Sequence, residues 1–174
     1  MKLFSLLAAA VLAAATALAE DPATFEVGGF TFKRPADWGW VQVNSPMRKA
    51  QLKVPGGEQP GDVVFFHFGP GGGDAKANVD RWFKQFSGAP AGAEKTEEQT
   101  YGKTKVTYAE TEGTFASGMP GGPSSALQNY ALVGAILDGP EGAVFVKLTG
   151  PKALVKASHE KFVDFVKDAA QSRK

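Results

Sequence analysis

Residues 62–68 read Asp-Val-Val-Phe-Phe-His-Phe and are followed by Gly69-Pro70-Gly71-Gly72-Gly73 and then by Asp74. A short run that is apolar at nearly every position and stopped by glycines predicts a strand covered on both faces, central in its sheet. Asp74 can offer a carboxylate oxygen to the free amides of a helix start. Behind it Ala75, Val79, Trp82, Phe83 and Phe86 recur at helical spacing, which predicts an amphipathic helix running to about Phe86. The remaining face carries Lys76, Asn78, Asp80, Arg81, Lys84 and Gln85. The unit is strand, glycine turn, helix, with the helix lying on a sheet.

Outward from this unit the pattern is mostly strand. Thr24–Val27 and Phe30–Lys33 alternate apolar and polar around Gly28-Gly29, a two-residue hairpin signal. Arg34–Gly39 reads as a turn and Trp40–Val43 as the strand it enters. Arg48–Val54 alternates again, with Ala50, Leu52 and Val54 on one face. After a Gly/Ala/Pro linker over Ser87–Ala93, the stretch from Glu94 to Phe115 predicts two long strands broken at Tyr101-Gly102. Ala116–Ser125 is then a ten-residue loop, longer than the usual connection of about 4–6 residues. Ala126–Leu137 and Ala143–Thr149 read as strands, and Pro151 suits the first turn of a closing helix. Val155, His159, Phe162, Val166 and Ala169 form the apolar stripe of that helix. Strands joined by hairpin-length connections, with two helices between and after them, predict an α+β fold: a mainly antiparallel sheet flanked by two helices.

The N-terminus has the pattern of an export signal. Met1-Lys2 is followed by an apolar run from Leu3 to Leu18, and Ala17-Leu18-Ala19 places small residues where signal peptidase accepts them. The run is short and Ala-rich for a membrane span, which needs about 20 apolar residues. We therefore expect residues 1–19 to be a signal peptide, residues 20–174 to be a single domain, and the product to be periplasmic or secreted, without stable membrane insertion. The 174 residues hold 19 Lys+Arg against 18 Asp+Glu, and loss of Lys2 with the signal leaves the two in balance. Such a balance argues against a nucleic-acid binder, which needs a clustered basic excess. The chain has no cysteine, which excludes disulfides, thiolate metal sites, thiol nucleophiles and a lipidated N-terminal cysteine.

Motifs for catalysis are sparse. A phosphate cradle at Gly69–Gly73 would need Lys-Ser/Thr or a third spaced glycine to follow, and Asp74-Ala75-Lys76 stands there instead. His67 and His159 are the only imidazoles, neither has a second ligand at metal spacing, and no Gly-x-Ser-x-Gly occurs. A hydrolase is accordingly the last-ranked reading, and no cofactor or metal is expected. Trp38 and Trp40 flank Gly39 and could share a face as a stacking platform. Trp38 suits the core, where one such ring is worth about 4–6 kcal/mol, and Trp40 is left as a contact residue. Asn78, Arg81 and Gln85 lie on one helix stripe, able to read a polar partner or simply to be solvated. Met119 sits in the Pro/Gly-rich loop, whose Ser117–Pro123 part is the preferred contact region.

The stretch Gly29-Phe30-Thr31-Phe32-Lys33-Arg34-Pro35-Ala36-Asp37-Trp38 resembles the entry of PsbP-like domains, an apolar strand followed by Pro, two residues and Trp. The unit Val63–Phe86 and the closing helix Lys152–Ala170 continue the resemblance as an order of elements. It implies an α/β/α sandwich and a non-enzymatic role in binding larger assemblies or envelope components. The expected function is an exported, non-catalytic binding or accessory protein whose partner is a protein or envelope component. The alternative is a small-ligand carrier with a pocket lined by Trp40, Arg81 and the Ser117–Pro123 loop.

Overall fold

A computed structural model describes residues 21–57, 59–118 and 125–173. The expected signal peptide, Met119 and most of the 117–123 loop lie outside the described residues. The chain forms β1 (Thr24–Val27), β2 (Phe30–Lys33), β3 (Gly39–Trp40), β4 (Arg48–Val54), β5 (Gly61–His67), α1 (Ala75–Phe83) and β6 (Phe86–Ser87). There follow β7 (Lys95–Tyr101), β8 (Thr104–Ser117), β9 (Ser125–Leu137), β10 (Val144–Pro151) and α2 (Lys152–Ser172). The fold is α+β. Eight strands make one sheet in the order β3-β4-β5-β10-β9-β8-β6, with β7 also paired to β8, and β1-β2 form a separate hairpin. Every described pairing is antiparallel.

Period-2 alternation along the strands sends two sets of side chains to opposite faces. Leu52, Val63, Phe65, Val133, Val146 and Leu148 face α2 and the β1-β2 hairpin. There Phe32 meets Phe65 at 5.0 Å and Phe165 at 5.4 Å between ring centroids, and Trp38 meets Phe165 at 5.5 Å. Such pairs add roughly 0.5–1.5 kcal/mol each beyond their burial. The Gly28-Gly29 turn is required by its backbone, φ +55° and +76°, and by space: a Cβ at Gly28 would lie 2.5 Å from Val144 Cγ2. On the other face α1 lays Val79 and Trp82 on Ala109, Leu132, Ile136 and Phe145. Its seat is a bare backbone, since a Cβ on Gly134 would lie 2.3 Å from Trp82 Cζ3. Asp74 caps α1, its Oδ1 accepting from the Ala77 amide at 2.8 Å.

Several boundaries differ from those predicted. Helix α1 stops at Phe83, and Phe86 instead belongs to β6, its ring 5.1 Å from Phe115. The periodicity could not separate the two outcomes, because Phe86 points to the same core from either element. Strands β8 and β9 extend to Ser117 and from Ser125, so the long loop is shorter than expected. Only Gly39 and Trp40 pair with β4, rather than a strand from Trp40 to Val43. Strand β5 has β4 and β10 beside it, but only its α2 face is fully covered. On the other face Asp62 and Phe66 are half-buried, and Phe68 just beyond is exposed. The cause is length: at about 1.5 Å per residue, a nine-residue helix spans roughly 13 Å and cannot cover a sheet this wide.

Candidate functional site

The part of the sheet that α1 leaves open is a trough of about 300 Å³. Its floor and walls come from the side chains that β4, β5, β9 and β10 send to the α1 face: Arg48, Gln51, Asp62, Val64, Tyr130, Lys147 and Thr149. Gln85, just after α1, and Phe115, Ser117 and Gly118 on and after β8 close it.

Lys147 is the unusual member. Strand β10 alternates Val144, Val146 and Leu148 into the α2 core, which leaves Lys147 facing the trough between Phe145 and Thr149. Its Nζ donates to Gln85 Oε1 at 2.9 Å and stands 5.7 Å from the centroid of the Phe115 ring. Burial pushes its pKa down to about 8, and the nearby Arg48 guanidinium adds to the depression. A polar row runs along β4 and β5 beside it. Arg48 Nη1 donates to Gln51 Oε1 at 2.8 Å, while Gln51 Nε2 and Lys53 Nζ each donate to Asp62 Oδ1 at 2.7 Å. Among the described residues, neither Lys147 nor Arg48 has a carboxylate within ion-pair distance. Phe115 and Tyr130 stack along one wall with the Phe86 ring tilted against Phe115, and Tyr130 Oη donates to Gln59 at 3.1 Å.

The residues predicted from sequence are distributed unevenly. Gln85 lines the trough and holds Lys147, and Ser117 lines it too. Asn78 is not on a solvated stripe: it is 6% exposed, donates to the Asp74 carbonyl at 2.9 Å and accepts from Arg81 Nη1 at 3.1 Å. Its role is to tie the start of α1 together, and Arg81 leans on it from the exposed surface. Trp38 is buried at 1% exposure. Trp40 is half-buried on the α2 side, packed 5.2 Å from Phe25. Trp40 and Arg81 therefore stand on opposite faces of the sheet, and among the described residues they do not line one pocket together. Sequence reasoning missed Lys147, Arg48, Gln51 and Tyr130. The signal for Lys147 was present: one ammonium inside the otherwise apolar Val144–Leu148.

A larger cavity, about 810 Å³, lies where β8 residues 111–113 face neither β6 nor β7 and the 88–94 segment arches past the start of α2. Its central charged groups are matched, while Lys95 and Glu160 stand on its lining without an ion pair among the described residues. His159 Nε2 lies 2.7 Å from Glu110 Oε1, and Glu112 takes Lys152 at 2.7 Å and Lys156 at 3.5 Å. Those lysines hold the Glu112 carboxyl below the usual range. His67 is structural, its Nε2 donating to the Glu141 carbonyl at 2.9 Å. Among the described residues no hydroxyl shares a hydrogen bond with either imidazole, and no group of three His, Asp or Glu could hold a metal ion. Among them, too, no helix is long and apolar enough to cross a membrane.

Compared with known proteins, the chain matches no family model and no curated protein sequence.

Proposed function

We propose that this is an exported, non-catalytic binding domain that engages a protein or another envelope component through the trough beside α1. The observation that carries the reading is an uncovered half of a sheet face where, among the described residues, a half-buried lysine and an exposed arginine have no carboxylate partner. A desolvated ammonium held only by a neutral amide and a ring face is costly to keep unless something uses it. Export rests on the Leu3–Ala19 pattern. The placing of helices on both sides of an antiparallel sheet supports a PsbP-like ancestry, and we keep that family as part of the proposal. Fold alone does not give a partner.

A second reading, a small-ligand carrier, has one observation in its favour: the trough volume is at the lower end of small-molecule pockets, about 300–1,000 Å³. It would use Lys147 and Gln85 rather than Trp40 and Arg81. Photo-cross-linking in the exporting cell tests the site. A benzophenone side chain replaces Gln51 in the trough or, as control, exposed Thr31 on β2. The proposal expects protein or lipid adducts from position 51 and none from position 31. Adducts from position 31 alone would overturn it, and a small-molecule adduct at position 51 would favour the carrier.

A further inference from the structure

The trough has an imbalance that says what kind of group it takes. Among the described residues its one carboxylate, Asp62, is already occupied by Lys53 and Gln51, both at 2.7 Å. Arg48 and Lys147 are left with neutral acceptors, Gln51 and Gln85. Thr149 lines the same trough, and its hydroxyl oxygen is buried with no partner. Arg48 is exposed at the trough's mouth and Lys147 is half-buried within it, its ammonium desolvated. A desolvated cation is ordinarily matched by an anion, and a buried hydroxyl by a hydrogen bond. Here both matches are missing at one place.

We infer that the trough seats a small oxyanion, a carboxylate or phosphate group, between Lys147 and Arg48. The inference rests on the trough being the binding surface. A planar guanidinium can grip two oxygens of such a group side by side, while an ammonium acts as a point charge against one of those oxygens or, in a phosphate, a third. Gln51 stands at the same space with a second Nε2 hydrogen to donate, and Tyr130 can donate its one hydroxyl hydrogen there by turning from Gln59. Phe115 and Tyr130, stacked 6.0 Å apart, give an apolar wall for whatever the oxyanion is attached to.

The site also makes binding depend on pH in a definite direction. An anion favours the protonated form of Lys147, so binding raises its pKa, and affinity falls as pH climbs through the free value of about 8. Among the described residues, the other charged or titratable groups facing Lys147 are Arg48, the Lys53–Asp62 pair and the Tyr130 phenol.

The test follows the Lys147 Cε signal by NMR in the whole exported chain. Sodium acetate and inorganic phosphate are titrated separately, with sodium chloride holding ionic strength constant. The expected result is a saturable shift with at least one of the two anions. With it should come a rise in the Lys147 pKa of about one unit, equivalent to a roughly sixfold weaker affinity at about pH 9.5 than at about pH 7.5. Arg48→Gln, at an exposed position, should weaken binding at least about fivefold, and Lys33→Gln on the far face should leave it unchanged. Response to acetate alone assigns a carboxylate, and to phosphate alone a phosphate. A shift that never saturates, or one that Arg48→Gln does not weaken, overturns the inference. If cross-links from position 51 persist in that case, the trough binds by other chemistry and only the anion is lost. If they are absent as well, the trough reading falls with it.

Discussion

Replacing Lys147 by Met should make the protein more stable at neutral pH, and the gain should vanish in alkali. Met keeps the length and shape of the stem but removes the charge. In the fold the ammonium pKa is about 8 against an ordinary 10.5. At about 1.36 kcal/mol per unit, that gap is worth about 3 kcal/mol. Below pH 8 the lysine is charged in both states, and the folded state bears the whole penalty. Between pH 8 and 10.5 the folded state loses the proton while the unfolded state keeps it. The unfolded state then binds more protons, so wild-type stability rises with pH across that window. Above it both forms are neutral. Losing the Gln85 hydrogen bond and the contact with the Phe115 ring subtracts about 1–2 kcal/mol. The net expectation is a variant about 1–2 kcal/mol more stable at about pH 7. Urea unfolding followed by fluorescence of the buried Trp38 and Trp82 measures it. Groups common to both proteins cancel in the difference between them. A variant less stable than wild type at neutral pH, by an amount that does not change with pH, would refute the reasoning.

Three further substitutions test the packing that frames the trough. Gly134→Ala places a methyl 2.3 Å from Trp82 Cζ3, so α1 must shift, at a cost of about 1–3 kcal/mol in urea unfolding. Trimming Trp82 to Leu in the same chain should recover part of that loss. Phe165→Ala empties the space among Phe32, Trp38 and Phe65 and should cost about 3–5 kcal/mol, with loss of near-UV dichroism from Trp38. Asp74→Ala removes the cap on Ala77 and should cost about 1 kcal/mol in thermal unfolding, most of it restored by Asp74→Ser.

Local rules made much of the scaffold legible. Gly28-Gly29 announced a hairpin because only such a turn joins two alternating runs so closely, and both glycines do lie at positive φ. Asp74 announced a cap, and of the predicted stripe Val155, Phe162, Val166 and Ala169 are buried as its spacing required, while His159 is half-buried and turned to Glu110. What could not be read was how far each layer reaches. The length of α1 decides which half of the sheet stays open, and periodicity left Phe86 compatible with either helix or strand. Direction was hidden too. Asn78 and Gln85 share a stripe, but one turns back on the Asp74 carbonyl and the other reaches across to Lys147, 62 residues away in the chain. Trp40 looked available because its neighbour Phe25 comes from a hairpin outside the main sheet. Lys147 gave a local hint, a charge in an apolar strand. That no carboxylate among the described residues answers it depends on four strands at once, which no window of sequence contains.

The most direct test of the trough as the binding surface is native mass spectrometry of wild type and Arg48→Glu, each purified gently from the organism that encodes the protein. The account predicts an added mass on wild type, released on activation, that Arg48→Glu no longer retains. The same added mass on both proteins would contradict it.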